Sequence, residues 1–503
     1  MILFFKKYHK WLGIIVTLFI LLFAFSGIVL NHRELLSSVD VSRSVLPDEY
    51  EIVNWNNAAV KGTERLSPDS ILIYGNIGIW LTDSNFTDYQ NFNAGIPEGI
   101  DNRKVCKVLL TEKQGLWTGT LFGLYHYDFH QKKWNNVLLP THEKRVVDMV
   151  DFGDSLYMLT RSHLLVYKNN SFKIRTLPPP VGYDNKIGLF KTLWVIHSGE
   201  IYGQAGKLLV DFVGLVFIFL TITGLILFIN RKRIIIKFRA GKPVQRIKKI
   251  NLWNLKWHNK IGWMTIVLLL ITTTTGMFLR PPLLVAIAEA RVGKIPGTEL
   301  ATANPWFDQL RRVLYDKENN RFILATYTGF YYSDDDFNSE LKPFKVQPPA
   351  SIMGVNALKK VNTNEYLVGS FEGLFIWNPE TGKIFDDIKK EPYVKQEVAG
   401  PPIGDYLITG YSDEYKGEEI AFDYDKGALN INKGKPFPAM PQNIHDAYRI
   451  SLWNLALEIH TGRIYESVLG VFYVLIVPIV GLMLLFVLIS GFIVWWKIHR
   501  LVG

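Results

Sequence analysis

The chain is nearly devoid of cysteine: Cys106 stands alone in 503 residues. One thiol closes no intrachain disulfide, and it excludes both a CxxC redox pair and a thiolate-held metal cluster. Acidic residues are missing from 1–10, 231–260 and 497–503, while 231–260 alone carries eleven Lys and Arg. The rest of the chain holds more acids than bases, so the pI near 9.2 comes from these short stretches. Also missing are a phosphate-binding glycine loop, a zinc motif and a recognisable nucleophile. Those absences remove the common hydrolase and nucleotide-dependent chemistries.

Long apolar runs are what the chain has in their place. Four of them, roughly 11–30, 208–229, 261–279 and 467–496, have the length of about 20 helical residues that a bilayer core requires. The positive-inside rule puts both termini and the basic loop in the cytoplasm. Topology thus accounts for the basic stretch, and no nucleic-acid partner is expected. The last run is longer than a span needs and holds Pro478, which predicts a tilt, kink or protrusion. The first is too long for a signal-peptide h-region and lacks a small-residue cleavage site after Leu30, so it is expected to be retained. The expected order is an N-terminus and first span (1–32), an outer half (33–196), and an edge motif with the second span (197–230). There follow a basic cytoplasmic loop (231–257), a third span (258–282), a second outer half (283–455) and an edge motif with the fourth span (456–503).

Between the spans the residues alternate as strands do, bounded by turn residues. Gly78-Ile79-Trp80, Gly123-Leu124-Tyr125-His126-Tyr127, Gly329-Phe330-Tyr331-Tyr332 and Gly373-Leu374-Phe375-Ile376-Trp377 repeat one phrase, and His163-Leu164-Leu165-Val166-Tyr167 fits it without the glycine. Spacings of 40 to 45 residues match the period of a propeller blade. Two arrangements follow: one propeller of about six blades split between the halves, or two small β-domains. The expected fold class is therefore a mixed membrane protein, with four transmembrane helices in two tandem repeats and an extracytoplasmic all-β, propeller-like domain split between them. His126 and His130 fall on one face if their strand runs that far, which makes them a candidate metal pair against the plainer reading of surface histidines.

The spans themselves repeat. His9-Lys10-Trp11-Leu12-Gly13 leads to Ser26-Gly27, and His258-Asn259-Lys260-Ile261-Gly262 leads to Thr275-Gly276, with 18 residues from histidine to the later glycine in both copies. His197-Ser198-Gly199-Glu200-Ile201-Tyr202 matches His460-Thr461-Gly462-Arg463-Ile464-Tyr465. Repeat symmetry pairs His9 with His258 at the cytoplasmic edge and His197 with His460 at the outer edge. Two neutral imidazoles facing across a helix gap suit the axial positions of a haem, so the four histidines are candidate iron ligands for two haems. Gly13 and Gly262 follow their histidines by one turn and leave room for a flat macrocycle. Ser198 and Thr461 are candidate hydroxyl partners of the ligands. Arg280 is a candidate for a haem propionate or an interfacial anchor. His32 is a possible substitute ligand on the outer side, and His499 a less favoured one. Lys207 and Asp211 are spaced for an i,i+4 salt bridge. The plainer reading of each histidine is an interfacial residue beside the Trp11, Trp257, Trp263, Trp495 and Trp496 belts.

These blocks, continued by Thr223-Gly224 and Ser490-Gly491, resemble the PepSY-associated transmembrane family of bacterial inner-membrane proteins. The resemblance covers little more than a quarter of the chain, and no PepSY module is visible between the spans. It implies haem b, two per chain, and reduction of a ferric siderophore or similar chelate on the periplasmic side for iron acquisition. No flavin or nicotinamide domain follows Trp496, so a separate cytoplasmic reductase or a membrane quinol is the expected donor. The competing expectation is a non-enzymatic docking or sensor subunit; direct transport is disfavoured because the spans hold few polar residues.

Overall fold

The computed structural model describes residues 2–351, 354–394 and 404–500, with side chains to residue 498. It divides into a helical unit (Met1–Leu36, Asn185–Ala301, Leu452–Gly503) and a β unit (Ser37–Asp184, Thr302–Ser451). His499 lies beyond the described side chains.

The helical unit is built from α1 (Ile2–Asn31), α2 (Leu189–Ser198), α3 (Gly203–Arg239), α4 (Gln245–Met264), α5 (Ile266–Phe278), α6 (Leu452–His460) and α7 (Ile476–Arg500). Among the described residues three helical segments are long and apolar enough to cross a membrane: Ile2–Asn31, Glu200–Arg239 and Arg463–Ile498. Val16, Ile20 and Ala24 mark the buried stripe of α1, each one turn after the last. Val16 and Ile20 pack on Ile476 and Val480. A second apolar cluster joins Val213, Val216, Leu269 and Leu488 across α3, α5 and α7. Only 17% of the apolar window in α1, and 17% in α3, is buried by the protein itself. The remaining Leu, Ile and Phe side chains need an apolar solvent, which a bilayer supplies.

Two expectations change here. The third run is no straight span: α4 and α5 meet at Thr265 with a bend of 66°. No proline is present, but the Thr265 hydroxyl donates to the Ile261 carbonyl at 2.8 Å, a side-chain bond that bends helices. The basic stretch over 231–257 is largely helical, because α3 runs on to Arg239, turns at Gly241 (φ +64°) and restarts as α4. Pro478 lies in the first turn of α7, where a missing N–H costs nothing.

Among the described residues the β unit holds six antiparallel sheets of three to five strands, three from each chain segment, besides a two-stranded pairing of Asp40–Val41 with Ile450–Ser451. The first contains Gly62–Ser67, Ser70–Gly75, Gly78–Thr82 and Tyr89–Asn91; the second Val105–Thr111, Gly115–Thr120, Leu124–Asp128 and Lys133–Val137. The third contains Asp148–Phe152, Ser155–Leu159, Leu164–Lys168 and Ser171–Arg175; the fourth Leu310–Asp316, Arg321–Thr326, Gly329–Ser333 and Lys342–Pro343. The fifth runs from Val355 to Pro392 in five strands, and the sixth is three-stranded over Ile408–Tyr415, Glu418–Asp423 and Gly427–Asn430. The repeated aromatic phrase is the third strand of each of the first five.

The first strand of every sheet lies beside the first strand of the next, and Ile408–Tyr415 lies beside Gly62–Ser67. Each gap has its own apolar cluster. Phe322 and Leu324 meet Tyr157 and Leu159 between the third and fourth sheets, and Phe422 meets Trp55 and Phe86 between the sixth and first. Buried tryptophans keep a partner for their N–H: Trp377 donates to the Val346 carbonyl at 3.1 Å and Trp134 to that of Phe92 at 2.7 Å. The Leu124–Asp128 strand ends before His130, so the expected pairing of His126 with His130 on one strand face is not formed. His126 bonds the Gln114 carbonyl at 3.1 Å and packs on Trp117. Trp377→Ala removes a fully buried indole from the gap between the fourth and fifth sheets. It is expected to destabilise the β unit by about 3–5 kcal/mol, read as a lower thermal midpoint in circular dichroism.

Candidate haem-binding site

The helical unit brings the four repeated histidines together in two pairs. His9 on α1 faces His258 on α4, with ring centres 6.3 Å apart and ring planes at 84°. His197 at the end of α2 faces His460 at the end of α6, at 6.0 Å and 52°.

Every ring is held the same way, by a Ser/Thr-Gly step on a helix of the other repeat. His460 Nδ1 lies 3.0 Å from the Phe23 carbonyl and 3.0 Å from Ser26 Oγ. His197 Nδ1 lies 3.0 Å from the Thr272 carbonyl and 3.3 Å from Thr275 Oγ1. His9 Nδ1 lies 2.9 Å from the Val487 carbonyl and 3.4 Å from Ser490 Oγ. His258 Nδ1 lies 2.8 Å from Thr223 Oγ1, with the Leu220 carbonyl as backbone acceptor. In each case the carbonyl belongs to the residue three before the Ser or Thr.

A carbonyl can only accept, so Nδ1 carries the proton and Nε2 keeps its lone pair. Among the described residues Nε2 of these four rings makes no hydrogen bond. This is the tautomer a metal-ligating histidine adopts when its far nitrogen is anchored.

The glycine of each step lets the ring approach the helix. A Cβ at Gly276 would sit 2.7 Å from His197 Cε1, one at Gly491 2.9 Å from His9 Cε1, and one at Gly27 3.3 Å from His460 Cε1. At Gly224 the distance to His258 Cε1 is an ordinary 3.6 Å. The hydroxyl partners are therefore Ser26, Thr223, Thr275 and Ser490. Ser198 and Thr461, expected in that role, bond locally instead: Ser198 Oγ accepts from Glu200 N at 3.3 Å and Thr461 donates to the Leu457 carbonyl at 2.8 Å. Gly199 (φ +81°) and Gly462 (φ +77°) end the short helices in the left-handed conformation, which halts α2 and α6 just after their histidines.

A metal–imidazole bond of about 2 Å plus about 1.1 Å to the ring centre puts two imidazoles on opposite sides of one ion about 6.3 Å apart. Both pairs fall at that separation. Among the described residues no group of three or more His, Cys, Asp or Glu gathers, so each pair offers an ion two histidines from that set. A Cβ at Gly13 would meet nothing within 4 Å, and one at Gly262 only Leu220 Cδ2 at 3.8 Å. Arg280 faces the Tyr473 ring at 6.0 Å, and its buried Nε has no acceptor among the described residues. These features fit haem.

His32 is engaged elsewhere: its Nε2 lies 2.8 Å from Asp211 Oδ2, and Asn31 donates to Asp211 Oδ1 at 2.9 Å. The expected Lys207–Asp211 bridge is replaced, because Lys207 pairs with Glu200 at 3.2 Å.

A helical membrane unit with two cross-repeat histidine pairs defines the class. The chain belongs to the PepSY-associated TM region family, whose sequence model matches residues 7–498. No curated protein sequence matches it. Among solved structures it is similar to the extracellular domain of a putative hybrid two-component system from B. thetaiotaomicron (10% identity, 73% of this chain and 32% of that one, TM-score 0.36). It is also similar to PorZ of the Porphyromonas gingivalis type-IX secretion system (11% identity, 77% and 40%, TM-score 0.34). A third is the computationally designed protein Ika8 (9% identity, 75% and 96%, TM-score 0.31). The chain spans about a third of the length of the first of these.

Replacing Gly276 by Ala is expected to push His197 off its notch and cost about 1–3 kcal/mol, as overpacking does. Gly224→Ala, where the contact is ordinary, should be nearly neutral. Thermal midpoints of the detergent-purified variants read the contrast.

Proposed function

We propose that this protein is a di-haem b electron-transfer protein of a bacterial cytoplasmic membrane that reduces ferric chelates, such as ferric siderophores, on the outer side. The observation that carries the reading is the pair of imidazole couples at coordination spacing, each ring tethered through Nδ1 with Nε2 left basic. When bound, haem supplies a one-electron couple between ferric and ferrous iron.

The protein's part is positional. The carbonyl and hydroxyl at each notch fix ring orientation and raise the basicity of Nε2. His9 with His258, and His197 with His460, would hold the two haems, and two histidine ligands to each iron would suit electron transfer rather than oxygen binding. The buried Arg280 guanidinium, electrostatically coupled to His460, suits a propionate. Along α1, His9 and the Ser26 notch are 17 residues apart, about 25 Å at 1.5 Å per residue. That separation supports placing one couple near each face of a hydrocarbon core of about 30 Å. The basic α3–α4 hairpin supports a cytoplasmic location for the His9–His258 couple. A quinol or a separate reductase supplies the electrons, one for each ferric ion reduced. The six neighbouring sheets, each packed on the next and the sixth on the first, support one six-bladed propeller as the outer domain.

Pyridine haemochrome on purified protein tests the reading. Two haems per chain are expected in wild type and about one in His9→Ala and in His460→Ala, each with loss of ferric-chelate reduction. Absence of a Soret band in wild type after haem supplementation would falsify it, and leave a membrane-anchored docking or sensor unit.

A further inference from the structure

One end of the helical unit, where Lys6, Lys7 and Lys10 of α1 and the α3–α4 hairpin lie, has no carboxylate to balance its bases. Residues 1–33, 212–288 and 467–503 contain neither Asp nor Glu. Two of the lysines are held in a defined place there. α1 and α3 run antiparallel, with Asn31 bonded to Asp211 towards one end and Trp11 against Phe228 towards the other. At the second contact the two rings pack edge-on, 5.9 Å apart at 69°. Lys10 Nζ lies 4.5 Å from the centre of the Trp11 ring, and Lys232 Nζ lies 4.5 Å from that of Phe228. An ammonium from each helix thus flanks one aromatic pair. A ring face attracts such a charge without neutralising it. Among the described residues neither ammonium meets a carboxylate, and the Trp11 N–H makes no hydrogen bond.

The surface next to this row is apolar. Trp11, Ile15, Leu18 and Phe25 recur at helical spacing on one face of α1, and all four are exposed on the protein. Two cations and a free N–H at the head of an apolar track match a molecule with an anionic head and hydrocarbon tails. A soluble phosphate would use the head of the site and leave the track bare.

We propose that Lys10 and Lys232, with the Trp11 N–H, bind the phosphodiester headgroup of an anionic phospholipid whose acyl chains lie along the Ile15–Leu18 face of α1. Ammonium–phosphate bonds are charge-assisted, and basic sites between spanning helices take anionic headgroups on this basis. The site rests on the membrane-spanning helices and not on the haem reading.

The test is native mass spectrometry of delipidated full-length protein in detergent, titrated with phosphatidylglycerol or with phosphatidylcholine of the same acyl chains. Wild type is expected to prefer phosphatidylglycerol about tenfold or more, and less so as salt rises. Lys10→Gln and Lys232→Gln should each weaken phosphatidylglycerol binding about fivefold, whereas Lys10→Arg keeps it. Lys6→Gln removes a charge at the same end but outside the site, and should leave binding unchanged. Glycerophosphoglycerol, the headgroup without its chains, should bind at least tenfold more weakly. Equal affinity for the two lipids, an unchanged affinity in a folded Lys10→Gln or Lys232→Gln variant, or an equal loss in Lys6→Gln overturns the proposal. Equally tight binding of the free headgroup overturns it in favour of a soluble phosphodiester. Haem content does not enter the titration, so failure of the haem reading leaves its outcome intact.

Discussion

The helical unit depends on one contact made four times: an imidazole Nδ1–H seated against a helix carbonyl, with a hydroxyl one turn later and a glycine beside it. The contact does three things at once. It satisfies a polar ring at a depth where water is scarce, it selects the tautomer, and it sets how closely ring and helix approach. Each of these removes a freedom the side chain would otherwise have. What remains for Nε2 is one direction and one lone pair.

The contact also binds the two repeats to each other. His460 and His9 cross between α6, α1 and α7 in opposite senses, as do His197 and His258 between α2, α5, α4 and α3. Neither repeat can present a pair by itself, since every ring is oriented by the other copy. A duplication whose halves hold each other's histidines is constrained at both ends, and this accounts for sequence blocks that otherwise differ sharing both the histidine and the Ser/Thr-Gly step.

Much of this was legible in the chain, because repetition marks positions that composition does not. The histidines, the later Ser/Thr-Gly steps and the strand phrase all stand out as pairs or series. Which step receives which ring was not legible, since the partners are 35 to 481 residues apart and four similar steps compete. The bend at Thr265 escaped notice because a threonine inside an apolar run is compatible with a straight helix until its hydroxyl takes a carbonyl. The sixth sheet was obscured by its third strand, Gly427-Ala428-Leu429-Asn430, which lacks the aromatics of the others.

The division of the six sheets between two stretches of chain has a consequence for how the molecule is made. When residues 37–184 have left the ribosome, two flanks of the half-built domain are bare: Trp55 and Phe86 await Phe422, and Tyr157 awaits Phe322. Their partners come more than 150 residues later, after helical segments that must first find the bilayer. At about 5–20 residues per second the earlier half waits roughly ten seconds or longer with sticky aromatic edges uncovered. Completion of the β unit therefore waits on the helical segments that separate its two stretches of chain.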